Sequence, residues 1–283
     1  MSVVTLRTPR LTIEGRSRAG NETWFRVPEL GVSLDIGRCP DTLVGLQHIF
    51  ITHAHLDHAL GVPFYAAQRR LFKLGPGEVF VPAETVDDYR ALMAIHERME
   101  GTDYPVHFVP MGPGQTHKLR RDLSVRAHRA THRVPANAWE FTETRHRLKA
   151  ELAGLPGGEL ARLRHQGHEV ETRFERPILF YSGDTDGRIF ETSPALFEAE
   201  VLMLECSFTG RGEEERSRRY THIHLSEIVA QADRFRNERI ILTHFSLRDR
   251  PETIHRRVYR ELPAFLRERV LLALPAPFTS FNP

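Results

Sequence analysis

The chain has 283 residues, 40% hydrophobic and 27% charged, enough for one large domain or two small ones with a sizeable core. A balance of 39 Lys and Arg against 37 Asp and Glu excludes recognition of a polyanion by bulk charge and leaves it to local patches. Two cysteines, Cys39 and Cys206, exclude a disulfide framework and suit a reducing cytoplasm, while the absence of a basic-then-apolar leader or a bilayer-length apolar run predicts a soluble, unexported protein with no membrane contact.

Short β-type runs fill the first third: 11–15, 23–27, 32–37 and 48–52, separated by Gly, Asn and Pro turns. Helical spacing follows at 62–75 and 82–100. The same grammar then repeats, with runs at 125–131, 138–143, 177–184, 200–208 and 239–246 and helices at 225–237 and 251–264. Strands then helices, twice over, predict one α/β sandwich of two sheet-plus-helix halves spanning 1–283. The charged stretch 144–176, with its Leu-Pro-Gly-Gly turn, reads as a protruding arm or an ordered excursion from the domain, with a pair of surface helices packed on the core as the alternative.

The segment HIFITHAHLDHALG (48–61) packs three histidines and an aspartate into six positions behind an apolar run. Alternation in an extended segment places His53 and His55 on one face, with Ala54 and Leu56 expected to point into the protein. Asp57 and His58 follow where the chain turns into a helix and address a second position a few ångströms away, the offset that a two-metal site needs. Imidazole and carboxylate donors suit zinc or another borderline first-row ion. His132, Asp184 and His244 each follow a β-type run, where ligand-bearing loops gather, and are candidates to complete the shells.

In order, Asp35 in LDIG, the HAHLDH motif, His132, Asp184 in SGDT and His244 resemble the signature of the metallo-β-lactamase superfamily. LDIGRCP, ITHAHLDHALGVPFYAAQR, THRVPA, LFYSGDT, LECSF, HIHLSEIV and LTHFS further resemble the tRNase Z (ribonuclease Z) family in its short, plant-type form, over about residues 10–275. The resemblance implies an αββα sandwich, two mixed sheets flanked by helices. It also implies two Zn2+ per chain (Mn2+ or Fe2+ as alternatives): His53, His55 and His132 on one, Asp57, His58 and His244 on the other, Asp184 between them, and Asp35 orienting the ligand loop.

The implied reaction is removal of 3′ trailers from precursor tRNA by a metal-activated water attacking phosphorus in line. Asp57 would take the proton, and His224, supported by Glu205, would protonate the leaving 3′ oxygen; His222 is the neighbouring alternative. A homodimer is implied as well. From Lys118 to Lys149 nine Lys or Arg stand against three acidic residues, which makes Arg133, Arg145, Arg147 and Lys149, together with Arg248, candidate RNA contacts. The chain departs from the family pattern at Asp249, where Tyr is usual, and in the short span between His132 and Asp184. Two other functions fit parts of this pattern: a dinuclear hydrolase of a small phosphodiester or thioester, and a non-catalytic RNA-binding scaffold.

Overall fold

The computed structural model describes residues 3–281 and arranges their strands in two seven-stranded sheets. The first follows chain order: β1 (Val4–Arg7), β2 (Thr12–Arg18), β3 (Glu22–Val27), β4 (Val32–Leu34), β5 (His48–Phe50), β6 (Gly77–Pro82) and β7 (Val106–Met111). The second runs from β8 (Thr116–Arg120) through β9 (Leu123–Arg129), β10 (Asn137–Leu148), β11 (Glu171–Tyr181), β12 (Val201–Glu205) and β13 (Arg239–Thr243) to β14 (Val270–Leu272).

Each half is built alike. Strands β1–β4 pair antiparallel and β4–β7 pair parallel, and β8–β11 and β11–β14 repeat that order. Parallel pairing requires crossovers, and helices such as Val62–Leu71, Val86–Glu100, Leu225–Ala230 and Pro251–Glu261 supply them. The loops leaving the C-terminal ends of β4, β5, β11, β12 and β13 carry Asp35, His53 to His58, Asp184, Glu205 to Ser207 and His244, in keeping with ligand sites at strand carboxyl ends.

Three apolar clusters make the four layers. Between the sheets, Phe25, Phe50, Phe80, Trp139, Phe141 and Tyr181 pack with Leu179, Met203 and Ile241. Phe50 joins the two sheets: its ring stacks on Phe80 at 4.4 Å and meets Trp139 and Phe141 edge-on at 5.3 and 5.0 Å. Full burial of one such side chain stabilises by roughly 1.5–3 kcal/mol. A second cluster seats Val62, Tyr65, Ala66, Tyr89 and Met93 on the outer face of the first sheet. A third packs Ile223, Leu225, Ile228, Ile254 and Val258 against the second. The fold is therefore the α/β sandwich of two mixed sheets flanked by helices that the sequence predicts.

The expected strand 32–37 stops at Leu34, because Asp35 takes a positive φ of 55° and leaves the sheet. The stretch 144–176 is not a pair of surface helices packed on the core but an ordered excursion. Residues 144–148 and 171–176 extend β10 and β11 as a two-stranded ribbon that pairs with no other strand, and one helix (Gly157–His165) lies at its turn.

Candidate metal centre and active site

His53 lies on an extended segment fixed at both sides. The Thr52 N–H donates to Asp35 Oδ1 at 2.7 Å, the Asn137 N–H donates to the Thr52 carbonyl at 2.9 Å, and His53 bridges to Ala136, the residue before β10. His55 then caps the short helix Leu56–Ala59, which carries Asp57 and His58. The expected inward direction of Ala54 and Leu56 is not found. Both are exposed, Leu56 by 69%, because the segment runs along the molecule's rim and the histidine face is the one turned inward.

The imidazoles converge through an ordered set of hydrogen bonds. His58 Nδ1 meets Asp35 Oδ2 at 2.8 Å, His244 Nδ1 meets Ser207 Oγ at 2.9 Å, His132 Nδ1 meets the Thr221 carbonyl at 3.2 Å, and His53 Nδ1 meets Thr52 Oγ1 at 3.0 Å. The Thr52 hydroxyl is itself 2.9 Å from Asp35 Oδ1 and the Ser207 hydroxyl 2.6 Å from Glu205 Oε2, so each donates to a carboxylate and accepts from its histidine. Four histidines thus carry their proton on Nδ1 and present a bare Nε2 inward, the arrangement that metal ligation requires.

Those Nε2 atoms gather about Asp184. His53 Nε2 lies 3.7 Å, His132 Nε2 4.0 Å and His244 Nε2 3.3 Å from Oδ2, and His58 Nε2 lies 3.4 Å from Oδ1. His55 contributes Nδ1, 3.0 Å from His53 Nε2 and 3.3 Å from His132 Nε2. Donor atoms of His53, His55, His132 and Asp184 fall within 4.8 Å of one another, and so do those of Asp57, His58 and His244. Asp184 Oδ1 is buried without a hydrogen-bond partner. Facing lone pairs and an unsatisfied buried carboxylate oxygen are costly without a cation between them, so these residues fit divalent ions.

Aspartates and histidines in the cluster also shift one another's charge. Burial acts against a charge on His58, but Asp184 and Asp35 outweigh it and hold the imidazole well above its usual range. Burial raises the Asp184 carboxyl, and His244 and His58 more than reverse that, leaving it well below the carboxylate range. Asp57 is likewise drawn down against burial by the adjacent His244 and by His58, and it accepts the Gly20 N–H at 2.9 Å. Tyr181 donates to Asp35 Oδ2 at 2.7 Å. Of the five described non-glycine residues with positive φ, Asp35, Thr221 and His244 serve this cluster, a local strain of about 1–3 kcal/mol each at a functional site.

The pairing of Glu205 with His224 is corrected. Glu205 Oε1 lies 2.7 Å from His222 Nδ1 and also accepts the Thr185 N–H at 2.8 Å. His224 is instead the cap of the helix Leu225–Ala230: its Nδ1 accepts the Ser226 N–H at 3.2 Å, its Nε2 donates to the Gly210 carbonyl at 2.9 Å, and its own N–H donates to Glu227 at 2.8 Å. A ring with both nitrogens committed to local backbone has no proton to offer a substrate. Burial would depress His222, but Glu205, by charge and by hydrogen bond, and then Asp184 raise it to about 9.

His222 lines a cavity of about 330 Å³ together with His55, His132, Arg133, Arg216 and Arg248. Arg145, Arg147 and Lys149 do not line it. They lie along or just past β10, where Arg145 pairs with Glu143 at 2.6 Å and Arg147 sits 5.3 Å over the Phe174 ring. Sequence reasoning missed Thr52, Tyr181 and Ser207, whose neutral side chains carry no metal signal, and Phe208 and Tyr220, which carry no charge pattern.

A family model described as a β-lactamase superfamily domain matches residues 33–245. A tRNase Z of Arabidopsis thaliana is 35% identical over 239 residues, covering 83% of this chain and 85% of that protein. A chloroplastic tRNase Z of the same plant is 34% identical over 252 residues, covering 88% and 71%. Among solved structures, the fold is similar to that of the short-form human tRNase Z, with TM-score 0.55, 19% identity and coverage of 87% of this chain and 86% of that one. It is also similar to the metallo-β-lactamase-fold protein YhfI of Bacillus subtilis, with TM-score 0.62, 12% identity and coverage of 87% and 90%. On the extent of these sequence matches, the chain belongs to the tRNase Z family of the β-lactamase superfamily.

Proposed function

We propose that the protein is a metal-dependent endoribonuclease that removes 3′ trailers from precursor tRNA, with two zinc ions per chain. The observation that carries this reading is the Glu205–His222 pair beside the histidine and aspartate cluster, because a phosphodiester with a poor alkoxide leaving group needs an acid there. His53, His55 and His132 would hold one ion and Asp57, His58 and His244 the other, with Asp184 in reach of both. Such ions, when bound, polarise the phosphoryl oxygens and lower the pKa of a water molecule.

The chain's own residues do the remaining work. Asp57, held ionised, accepts the proton of the attacking water. His222, kept protonated by Glu205, donates to the O3′ of the upstream nucleotide as the P–O3′ bond breaks, leaving a 3′-hydroxyl on the tRNA and a 5′-phosphate on the trailer. Arg133 and Arg248, on the cavity wall, offer guanidinium groups to the flanking phosphates.

A homodimer is part of this reading. It is supported by an apolar surface in which Leu56 and Leu60, 69% and 50% exposed, line one hollow with Leu92 on the helix Val86–Glu100. Among the described residues no helix is long and apolar enough to cross a membrane, and two buried free thiols suit a cytoplasmic setting. The reading is tested by incubating the purified protein with a precursor tRNA bearing a 3′ trailer, before and after chelation and zinc return. Cleavage lost on chelation and restored by zinc supports it. Rapid hydrolysis of a small phosphodiester with the precursor left intact would favour a small-molecule hydrolase.

A further inference from the structure

The wall of the catalytic cavity holds a ladder of rings and guanidinium groups, of which the reaction described above uses only Arg133. The Arg216 guanidinium lies 5.9 Å from the Phe208 ring centre and 5.5 Å from that of Tyr220. Arg133 lies 5.8 Å from Tyr220, and so does Arg219. Phe208, Arg216, Tyr220 and Arg133 all line the cavity that contains His222.

Arg216 Nε is buried without a hydrogen-bond partner, and neither Arg133 nor Arg216 has a carboxylate within ion-pair distance among the described residues. Arg145 on the ribbon and Arg164 on the helix at its turn contrast with them, closed onto Glu143 and Glu171. Of the three acids that precede Arg216 in sequence, Glu213 accepts the Gly210 N–H at 2.9 Å, Glu214 lines a different cavity and Glu215 is exposed. A ladder that served only to staple the helix Glu214–Tyr220 would not need its cations turned, unpaired, toward the reaction cavity.

We propose that Tyr220, with Phe208 and Arg216, forms a stacking site for the base of the nucleotide on the 5′ side of the cut. The inference rests on the precursor-tRNA reading and adds a specific contact to it. Side is assigned by His222. Its ring lies 6.1 Å from Phe208 and follows Tyr220 by two residues, and it protonates the O3′ of that same upstream nucleotide, so the base attached to that ribose is the one within reach of the ladder. Bases stack on aromatic and guanidinium planes, and every base has a π face, so the contact accepts any base while rejecting none. Arg133 and Arg216 meanwhile neutralise the phosphates on either side.

The test compares a precursor RNA carrying its natural upstream nucleotide with one made abasic at that position, cut by the metal-loaded wild type, Tyr220→Phe and Tyr220→Ala. Loss of the base raises KM about tenfold for the wild type and for Tyr220→Phe, equivalent to about 1.4 kcal/mol. For Tyr220→Ala, whose KM is already raised, the two RNAs are equal. Equal KM for both RNAs with the wild type, or a full abasic penalty in Tyr220→Ala, overturns the stacking site. If the wild type holds its metal and cuts neither RNA, the precursor-tRNA reading itself has failed and the stacking site falls with it.

Discussion

Glu205 Oε1 lies 2.7 Å from His222 Nδ1, while His224, two residues on, caps a helix with both of its ring nitrogens. Neighbouring histidines therefore carry separable roles. Changing His222→Ala is expected to lower kcat by about 10²–10⁴ with metal content retained. Changing His224→Ala is expected to lower stability by about 0.5–2 kcal/mol, through the lost cap, with turnover of the folded enzyme close to wild type. Kinetics and thermal unfolding of the two variants check both. The reverse pattern would return the acid role to His224.

The same pair sets a pH dependence. Glu205 raises His222 to about 9, so the acid form is populated below that pH and is lost as pH climbs through it. Turnover is expected to fall on the alkaline side, and Glu205→Gln should move that fall to lower pH. A kcat profile unmoved by the substitution would show that Glu205 does not tune the acid.

Elemental analysis of the purified protein is expected to find about two metal ions per chain. Because Asp184 touches both ligand groups, Asp184→Ala should lose both ions, whereas His132→Ala should mainly empty one site. Chelation should lower Tm, since an ion present at about a hundred times its Kd stabilises by roughly 2.7 kcal/mol. A Tm indifferent to chelation would mean that the cluster closes without metal.

Asp35 is fully buried and accepts from Thr52, His58 and Tyr181. Changing Asp35→Asn puts an amide N–H₂ against these donors, and metal affinity is expected to drop by about 10–100-fold. Tyr181→Phe removes one of those bonds and is expected to cost roughly 1–3 kcal/mol of stability with most of the metal kept. Metal titrations and denaturant melts distinguish the two outcomes.

If the exposed face around Leu60 and Leu92 joins two copies, Leu60→Glu with Leu92→Glu should yield a monomer by sedimentation, from a wild type at twice the chain mass. A wild type that sediments as a monomer at micromolar concentration would remove the dimer from the account.

The histidine and aspartate cluster that could hold metal was legible in the sequence because its residues are chemically conspicuous and sit at the ends of apolar runs. The lost direction of Ala54 and Leu56 shows the limit of alternation: it says which residues share a face, and only packing says which face turns inward. The choice between His222 and His224 was hidden for a related reason. Both share one side of a short extended segment, and what separates them is the Gly210 carbonyl and the helix start that His224 satisfies. Strands β1, β6, β7, β8 and β14 were passed over, since their short runs form strands only with a sheet to join. The long ribbon of β10 and β11 was masked by its charge, which on an exposed two-stranded element has no core to avoid.

The most direct test of the account is to map the end groups produced from a precursor tRNA by the metal-loaded enzyme. Attack by water with O3′ leaving predicts a single cut, a 3′-hydroxyl on the retained tRNA and a 5′-phosphate on the trailer. A 2′,3′-cyclic phosphate with a 5′-hydroxyl trailer would mean that the ribose attacks instead, and would contradict the roles assigned to Asp57 and His222.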